Sequence, residues 1–169
     1  MLHIAAAVDN TEIVKYILPL VEEKNSFNEV NETPLLFAIN NGNLEMTRLI
    51  CQHVPHESEV WKQPLIYNAI SAENIDVLKL IEPHLNFDQV DKDHDHEHPL
   101  ESAILLKNLE IFKYVYCRAK SIDSLAIYLY SLAKSLDLLE FMNYMKPRRS
   151  KRLRSVSYTH LTLPTIYSV

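Results

Sequence analysis

A run of alternating histidines and acids is the segment whose residue types come closest to metal chemistry. It reads Asp93-His94-Asp95-His96-Glu97-His98. If this run is extended, His94, His96 and His98 share one face and could hold Zn²⁺ or Ni²⁺ weakly. Structural zinc sites usually bring ligands from separated segments into a tetrahedral cage, which this run does not do. We therefore interpret it as a solvated loop whose charge responds to mildly acidic pH, and we predict no bound metal or cofactor.

Signatures of catalysis are missing from the sequence. There is no Gly-rich phosphate loop, no Gly-x-Ser-x-Gly, no Cys-x-x-Cys and no His-Glu-x-x-His zinc motif. The two cysteines, Cys51 and Cys117, lie far apart at the ends of predicted helices. We interpret them as reduced, semi-buried residues and not as a disulfide. We predict no catalytic residues and no enzymatic activity.

The elements that carry these residues repeat along the chain. Ala5, Asn10, Glu12 and Ile17 recur as Ala38, Asn43, Glu45 and Ile50, each pair separated by 33 positions. Each block has a turn with Pro-Leu, a short apolar helix containing Ala, a polar break and a second helix with apolar residues at helical spacing. A repeat of this length predicts a stack of small helical units that binds other molecules.

The block from Thr33-Pro34-Leu35 through Ala38 and Gly42 to Ile50 resembles the ankyrin repeat, and the resemblance covers about residues 2–145. Tetratricopeptide and HEAT repeats are the alternatives, but their periods differ and they lack the Thr-Pro-Leu opening. The resemblance implies an all-α ankyrin-repeat solenoid of about five helix-turn-helix units with short β-hairpin fingers. It also implies that His3 makes a structural hydrogen bond at its turn and that His98 takes the turn-forming Thr position before the fourth block.

The predicted units are approximately 1–27, 28–58, 59–92, 93–120 and 121–145. The hairpin position at which the family prefers glycine needs positive φ, and the sequence offers Asn31, then Trp61 or Lys62, then His96. Asn tolerates this conformation better than the others. We therefore expect a regular second hairpin and a distorted fourth one.

Both ends of the chain differ from a complete array. Met1 enters the first block after the point where its hairpin should stand, so we expect an amino-truncated fragment. Val156 to Thr165 resembles a translated sequencing adaptor, with a native β-prone tail as the alternative. We leave residues 156–169 out of the functional interpretation.

Candidate partner-binding residues come from the predicted hairpins and from the first helices, which line the concave face in the family. Trp61 is either an anchor for a partner or a side chain folded back on a neighbouring finger. The first-helix candidates are either exposed to a partner or packed between repeats. These candidates are Val8, Leu36, Asn40, Asn41, Tyr67, Glu101 and Leu105, with Ser71 and Leu106 beside them.

The charge is divided between an acidic body and a basic tail. Residues 1–145 hold all 22 acids but only 11 of the 17 Lys and Arg, which argues against nucleic-acid binding by the main surface. The remaining cations are Lys146, Arg148, Arg149, Lys151, Arg152 and Arg154, within a basic flanking segment 146–155. This run is either a nuclear import signal or a solvated segment.

Two functional hypotheses follow. The first is a protein-interaction scaffold that binds another protein as a monomer, located in the cytoplasm or, through the basic run, in the nucleus. The second is a targeting arm of a larger kinase, ubiquitin ligase, channel or other regulator. The apolar runs are too short to cross a bilayer, so we predict no membrane partner.

Overall fold

Five pairs of short helices form the described part of the chain. The computed structural model describes residues 1–55, 58–62, 65–88, 98–120 and 122–149. The α-helices are α1 (Leu2–Ala7), α2 (Thr11–Ile17), α3 (Pro34–Asn40), α4 (Leu44–Cys51), α5 (Leu65–Ser71), α6 (Ile75–Ile81), α7 (Pro99–Leu105), α8 (Leu109–Tyr116), α9 (Ile122–Ser135) and α10 (Leu139–Arg149). Short 3-10 helices cover Leu18–Leu20, Glu59–Lys62 and Glu82–His84.

The helices stack in two layers. The first helices of the pairs pack in order, α1 on α3, α3 on α5, α5 on α7 and α7 on α9. In the second layer α2 packs on α4, α4 on α6 and α10 on α8. Fully buried aliphatic side chains such as Leu35, Ile39, Ile70 and Ile104 fill the space between the layers. Every unit therefore completes its core with its neighbours, as in other stacked-repeat proteins.

The Thr-Pro-Leu sequence starts α3 for local reasons. The Oγ1 atom of Thr33 accepts a hydrogen bond from the backbone N–H of Leu36 at 3.2 Å, which satisfies one donor that the helix leaves free. Pro34 occupies the first turn, where a missing N–H costs nothing. Thr33 is buried, so this cap also fixes the entry of the chain into the core.

The described ranges contain no strand, so the structure does not show the predicted β-hairpin fingers there. Before α3 the chain instead forms a turn in which the Asn28 N–H donates to the Glu32 carbonyl. Asn31 has φ 63 in this turn, so its predicted positive φ is confirmed. Trp61 and Lys62 both lie in a 3-10 helix, and the prediction that one of them takes the positive-φ position is wrong. His96 and the adaptor-like residues 156–169 lie outside the described residues.

None of the helices in the described ranges is long and apolar enough to span a bilayer. The last helix, α10, continues past residue 145 and ends at Arg149, so the start of the basic segment is helical.

Candidate interaction surface

A tight turn of constant geometry joins the two helices of every pair. One residue of each turn has left-handed backbone geometry, with φ between 52 and 63; these residues are Asp9, Gly42, Glu73, Lys107 and Asp137. Only one of them is glycine, although this conformation is unfavourable for residues with a Cβ atom. The turns line up along one edge of the stack and fix where each first helix ends and each second helix begins.

An asparagine follows the left-handed residue in the first four turns and caps the second helix. The Oδ1 atoms of Asn10, Asn43, Asn74 and Asn108 accept hydrogen bonds from backbone N–H groups of the first helical turn. Asn is among the best residues for this position, because its side chain satisfies N–H groups that lack partners within the helix. The fifth turn carries Leu138 in this place.

The amide nitrogens of three of these asparagines bind the preceding turn, and we call this set the asparagine ladder (Asn43, Asn74 and Asn108). The Asn43 Nδ2 donates to a carboxylate oxygen of Asp9 at 2.7 Å and to Thr11 Oγ1 at 2.9 Å. The Asn74 Nδ2 donates to the Gly42 carbonyl at 2.8 Å. The Asn108 Nδ2 donates to Glu73 at 3.2 Å. Each asparagine thus caps its own helix and links its unit to the one before.

The candidates on the first helices and at their ends occupy equivalent positions before the left-handed turn residue of successive units, and we call this surface the first-helix face. Val8, Asn40, Asn41 and Leu105 are exposed there, whereas Leu36, Tyr67 and Glu101 are half-buried. Ser71 is also exposed. The Tyr128 hydroxyl donates a hydrogen bond to the Glu101 carboxylate. The candidates on the first helices therefore lie on one side of the first layer, with different degrees of exposure.

Leu105 and Leu106 distinguish the fourth unit from the second on this face. Aligned on the left-handed turn residue, they occupy the positions of Asn40 and Asn41. The Asn41 Nδ2 donates to the Ala6 carbonyl of the preceding unit at 2.9 Å, a bond that Leu106 cannot make. The two leucines remain 45% and 38% exposed. The fourth unit thus has two adjacent apolar side chains at the exposed positions where the second unit has two asparagines.

The family model described as ankyrin repeats, in three copies, matches residues 2–125. The chain is an ankyrin-repeat protein. Among curated proteins, a segment of 58 residues is 41% identical to the leucine-rich repeat serine/threonine-protein kinase 1 of Caenorhabditis elegans. This segment is 33% of the chain and 2% of the kinase, so the chain corresponds to a small part of that relative.

In the first ankyrin unit, His3 makes the structural hydrogen bond that the resemblance implies. Its Nε2 atom lies 2.8 Å from the carbonyl oxygen of Ser26, 23 positions later. The ring joins α1 to the loop that leads into the next unit. The structural interpretation of His3 is therefore confirmed.

His98 takes the place of Thr33 in the fourth ankyrin unit. Its Nδ1 accepts a hydrogen bond from the Leu100 N–H at 3.2 Å, and its Nε2 lies 4.0 Å from Asp88. The side chain is buried, so our interpretation of this histidine as part of a solvated loop is wrong. Burial lowers the pKa of His98 below its usual value, and the carboxylates of Asp88 and Glu101 oppose this effect.

The other members of the histidine run, residues 93–97, lie outside the described residues. Among the residues that the structure does describe, no group of three or more His, Cys, Asp or Glu could hold a metal ion.

Trp61 is held by contacts within the chain. Its indole N–H donates to the Pro55 carbonyl at 2.8 Å, and its ring stacks on His84 with centroids 3.6 Å apart. The side chain is half-buried. Part of the ring surface that would contact a partner is thus already covered by His84.

A cluster between the third and fourth units was not predicted from the sequence. The Arg118 Nε lies 2.6 Å from Glu82, and the Tyr114 hydroxyl donates to the same carboxylate. The guanidinium also lies over the Tyr114 ring, 3.6 Å from its centroid. The Arg118 bond, helped by Tyr114, holds the pKa of Glu82 below its usual range, and burial raises the pKa of Tyr114 to about 12. Glu, Tyr and Arg are common on protein surfaces, and Glu82 lies more than 30 positions before the other two residues. Their contact therefore depends on how the third and fourth units stack.

The basic run is divided between the described and the remaining residues. The backbone of Lys146, Arg148 and Arg149 belongs to the last turns of α10. Residues 151–154, with the other three cations, lie outside the described residues.

The cysteines differ in environment. Cys51 ends α4 and is half-buried, whereas Cys117 follows α8 and is exposed, so the prediction of two semi-buried thiols is correct for Cys51 alone. Burial raises the pKa of the Cys51 thiol to about 11.

Proposed function

We propose that this ankyrin array is a protein-interaction scaffold without catalytic activity of its own. It binds a partner protein through the first-helix face and through the segments that precede α3, α5 and α7, where we expected fingers from the sequence. Membership of the ankyrin family supports the general role. The observation that carries the proposal is the exposed pair Leu105 and Leu106 on the first-helix face.

These leucines are informative because another unit of the chain has polar residues at the same positions. The second unit places Asn40 and Asn41 there, and the Asn41 amide joins two units. Replacing those amides by leucines removes a hydrogen bond between units and exposes apolar surface. Contiguous exposed apolar surface often marks a site of protein–protein contact. We therefore place the centre of the interface at the fourth unit.

The remaining candidates extend this centre along the face. Val8 and Leu36 supply apolar surface in the first two units, and Tyr67 supplies an aromatic ring in the third. Asn40, Asn41 and Glu101 are polar residues at the rim. Trp61 is a restricted anchor, because its indole nitrogen and one ring face are engaged by Pro55 and His84.

A capture experiment tests the proposal. The chain is immobilised and incubated with cell extract, and retained proteins are identified by mass spectrometry. The double variant Leu105→Asn, Leu106→Asn copies the second unit and should fold normally while losing the specific partner. Leu20→Asn is the matched control, since Leu20 is 69% exposed but lies after α2 in the second layer.

Tyr67→Ala should weaken the same interaction by about tenfold or more if the ring is an interface anchor. A partner retained equally by the wild type, the double variant and Tyr67→Ala would contradict the placement of the interface. Circular dichroism on each variant separates loss of binding from loss of fold.

The second candidate function is a targeting arm of a larger enzyme or regulator, such as a kinase, ubiquitin ligase or channel. The similarity to a segment of a leucine-rich repeat serine/threonine-protein kinase favours it. Sequencing of the complete transcript tests it. A catalytic or channel domain in the same reading frame would support this function, and a reading frame with repeats alone would contradict it.

For the cellular location we propose the cytoplasm, with nuclear import through the basic run as a separate possibility to test. A fluorescent reporter fused to residues 146–154 should accumulate in the nucleus if the run is an import signal. A reporter distributed evenly through the cell would show that it is not.

A further inference from the structure

A hydrogen-bonded pair of one tyrosine and one carboxylate occurs at two junctions between units. The Tyr114 hydroxyl donates to Glu82, and the Tyr128 hydroxyl donates to Glu101. In each pair the carboxylate belongs to one unit and the tyrosine to the next, 32 positions later in the first pair and 27 in the second. Both junctions therefore place a carboxylate beside a phenol ring.

The pair between the third and fourth units binds an arginine of the chain itself. The Arg118 Nε lies 2.6 Å from one carboxylate oxygen of Glu82, and its Nη2 lies 3.2 Å from the other. The guanidinium also lies 3.6 Å from the centroid of the Tyr114 ring. A guanidinium suits this arrangement because it is planar, donates two bonds to a carboxylate and stacks on aromatic rings. This junction thus shows how a tyrosine–carboxylate pair holds an arginine.

The chain supplies no equivalent arginine to Glu101. Four positions after Tyr128, where the other pair has its arginine, the sequence has Leu132. Within the described ranges no Lys or Arg forms an ion pair with Glu101, whereas the acids in the first turns of α2, α4 and α6 do have such partners. The nearby His98 is buried, and burial lowers its pKa, so its ring is neutral at neutral pH.

The second pair lies on the exposed first-helix face. Tyr128 is 46% exposed, whereas Tyr114 of the other pair is half-buried. Leu105 follows Glu101 by one turn of α7, so the two side chains share one side of the helix, and Leu105 is 45% exposed. A segment that approaches this side meets a carboxylate, a phenol ring and an aliphatic side chain together. The 22 acids against 11 Lys and Arg in residues 1–145 favour the approach of a basic segment.

We propose that Glu101 and Tyr128 bind an arginine side chain of the partner protein. The guanidinium donates to the Glu101 carboxylate and lies on the Tyr128 ring, and an aliphatic residue beside that arginine packs on Leu105. Lysine fits less well, because its compact ammonium lacks the planar fork that bonds a carboxylate and stacks on a ring at once. This inference rests on the proposed function, since it names the chemistry of the partner at the same face.

A random peptide library displayed on phage is the probe. It is selected on the immobilised full chain, and the bound peptides that do not bind Glu101→Gln are sequenced. These peptides should contain an arginine next to aliphatic residues. Glutamine has nearly the shape of glutamate and still accepts from Tyr128, so this variant removes the charge alone. Glu110→Gln is the matched control, because Glu110 is an exposed acid of the same unit in the second layer, and it should retain the peptides.

The affinity of one selected peptide then tests the contact itself. Replacing its arginine with citrulline, which has a similar shape but no charge, should weaken binding about tenfold or more, as measured by fluorescence anisotropy. Glu101→Gln should weaken the arginine peptide by a similar factor and leave the citrulline peptide unchanged. Tyr128→Leu should also weaken the arginine peptide, since it keeps an apolar side chain but removes the ring. Circular dichroism on each variant confirms the fold.

Two results would overturn the arginine site. The first is a selection that gives no peptide dependent on Glu101, or dependent peptides without arginine. The second is a citrulline peptide that binds as tightly as the arginine peptide. The capture experiment separates this proposal from the proposed function. A partner kept by Glu101→Gln but lost by Leu105→Asn, Leu106→Asn would contradict the arginine site and leave the interface in place. A partner kept by both variants would contradict both proposals.

Discussion

The Asn43 amide nitrogen lies 2.7 Å from a carboxylate oxygen of Asp9, 34 positions earlier in the chain, while the oxygen of the same amide caps α4. One short side chain thus serves a helix and a junction between two units. In a stacked-repeat protein the stability of the whole depends on such contacts between neighbours as much as on each unit.

Replacing Asn43 with Ala should lower the free energy of unfolding by about 2 kcal/mol, since it removes a helix cap and a hydrogen bond between units. Urea denaturation followed by circular dichroism measures the change. Asn40→Ala is the control, because Asn40 is exposed at the end of α3 and should have an effect below about 0.5 kcal/mol. Equal denaturation midpoints for the two variants would disprove the dual role of Asn43.

His98 should make the array less stable in mild acid. Burial lowers its pKa in the folded state, so the unfolded chain takes up a proton at a higher pH than the folded chain does. The stability contributed by the neutral ring is present above the ordinary pKa of about 6.5 and is lost as the pH falls through the lowered value. Unfolding free energies measured from pH 7.5 down to 5.5, roughly one unit above and one unit below that pKa, should therefore decline.

The His98→Thr variant should flatten this decline, because Thr33 shows that a hydroxyl can cap the same turn without titrating. The exposed His53 serves as the control, and His53→Gln should keep the wild-type slope. A slope unchanged by His98→Thr would assign the acid sensitivity to other groups.

Leu106→Asn should stabilise the array even though it changes an apolar residue to a polar one. The introduced amide can donate to the Ile70 carbonyl, which corresponds to the Ala6 carbonyl that Asn41 uses. A new hydrogen bond between units contributes about 1 kcal/mol, and little burial is lost at an exposed position. Thermal denaturation should show a higher midpoint. A lower midpoint would mean that Leu106 packs in the folded chain more than its exposure indicates.

The two thiols should react at very different rates. Cys117 is exposed, whereas burial raises the pKa of Cys51 to about 11, so at pH 8 only about one Cys51 thiol in a thousand is ionised. Titration with a chromogenic disulfide reagent should give one fast equivalent in the native chain and a second after unfolding. Cys117→Ser should abolish the fast phase, and Cys51→Ser should leave it. Two fast equivalents in the native wild type would contradict this assignment.

The helix pairs were predictable from the sequence because their signals are local. Apolar spacing, the Thr33 cap and the glycine at residue 42 each act within a few residues. Asn31 was also predictable, since few residues other than glycine accept positive φ. His3 was placed correctly through the family pattern.

The features that we did not predict from the sequence depend on how the units stack. Glu73 and Lys107 adopt left-handed geometry against their preference, because the neighbouring helices fix the turn. The burial of His98 and the stacking of Trp61 on His84 depend on how adjacent units align, which no local pattern records. The hydrogen bonds of the asparagine ladder were not predicted for the same reason. The asparagines recur in the sequence, but the residues that accept their hydrogen bonds lie about one repeat earlier in the chain.

The direction of the ladder bears on how such arrays change length in evolution. The donor always belongs to the later unit, and the acceptor is a turn carbonyl or carboxylate of the earlier one. A gene duplication that copies one whole block therefore copies both the asparagine donor and the turn residue that accepts from the next unit. Insertion or loss of single blocks then needs no matching mutation in the neighbour.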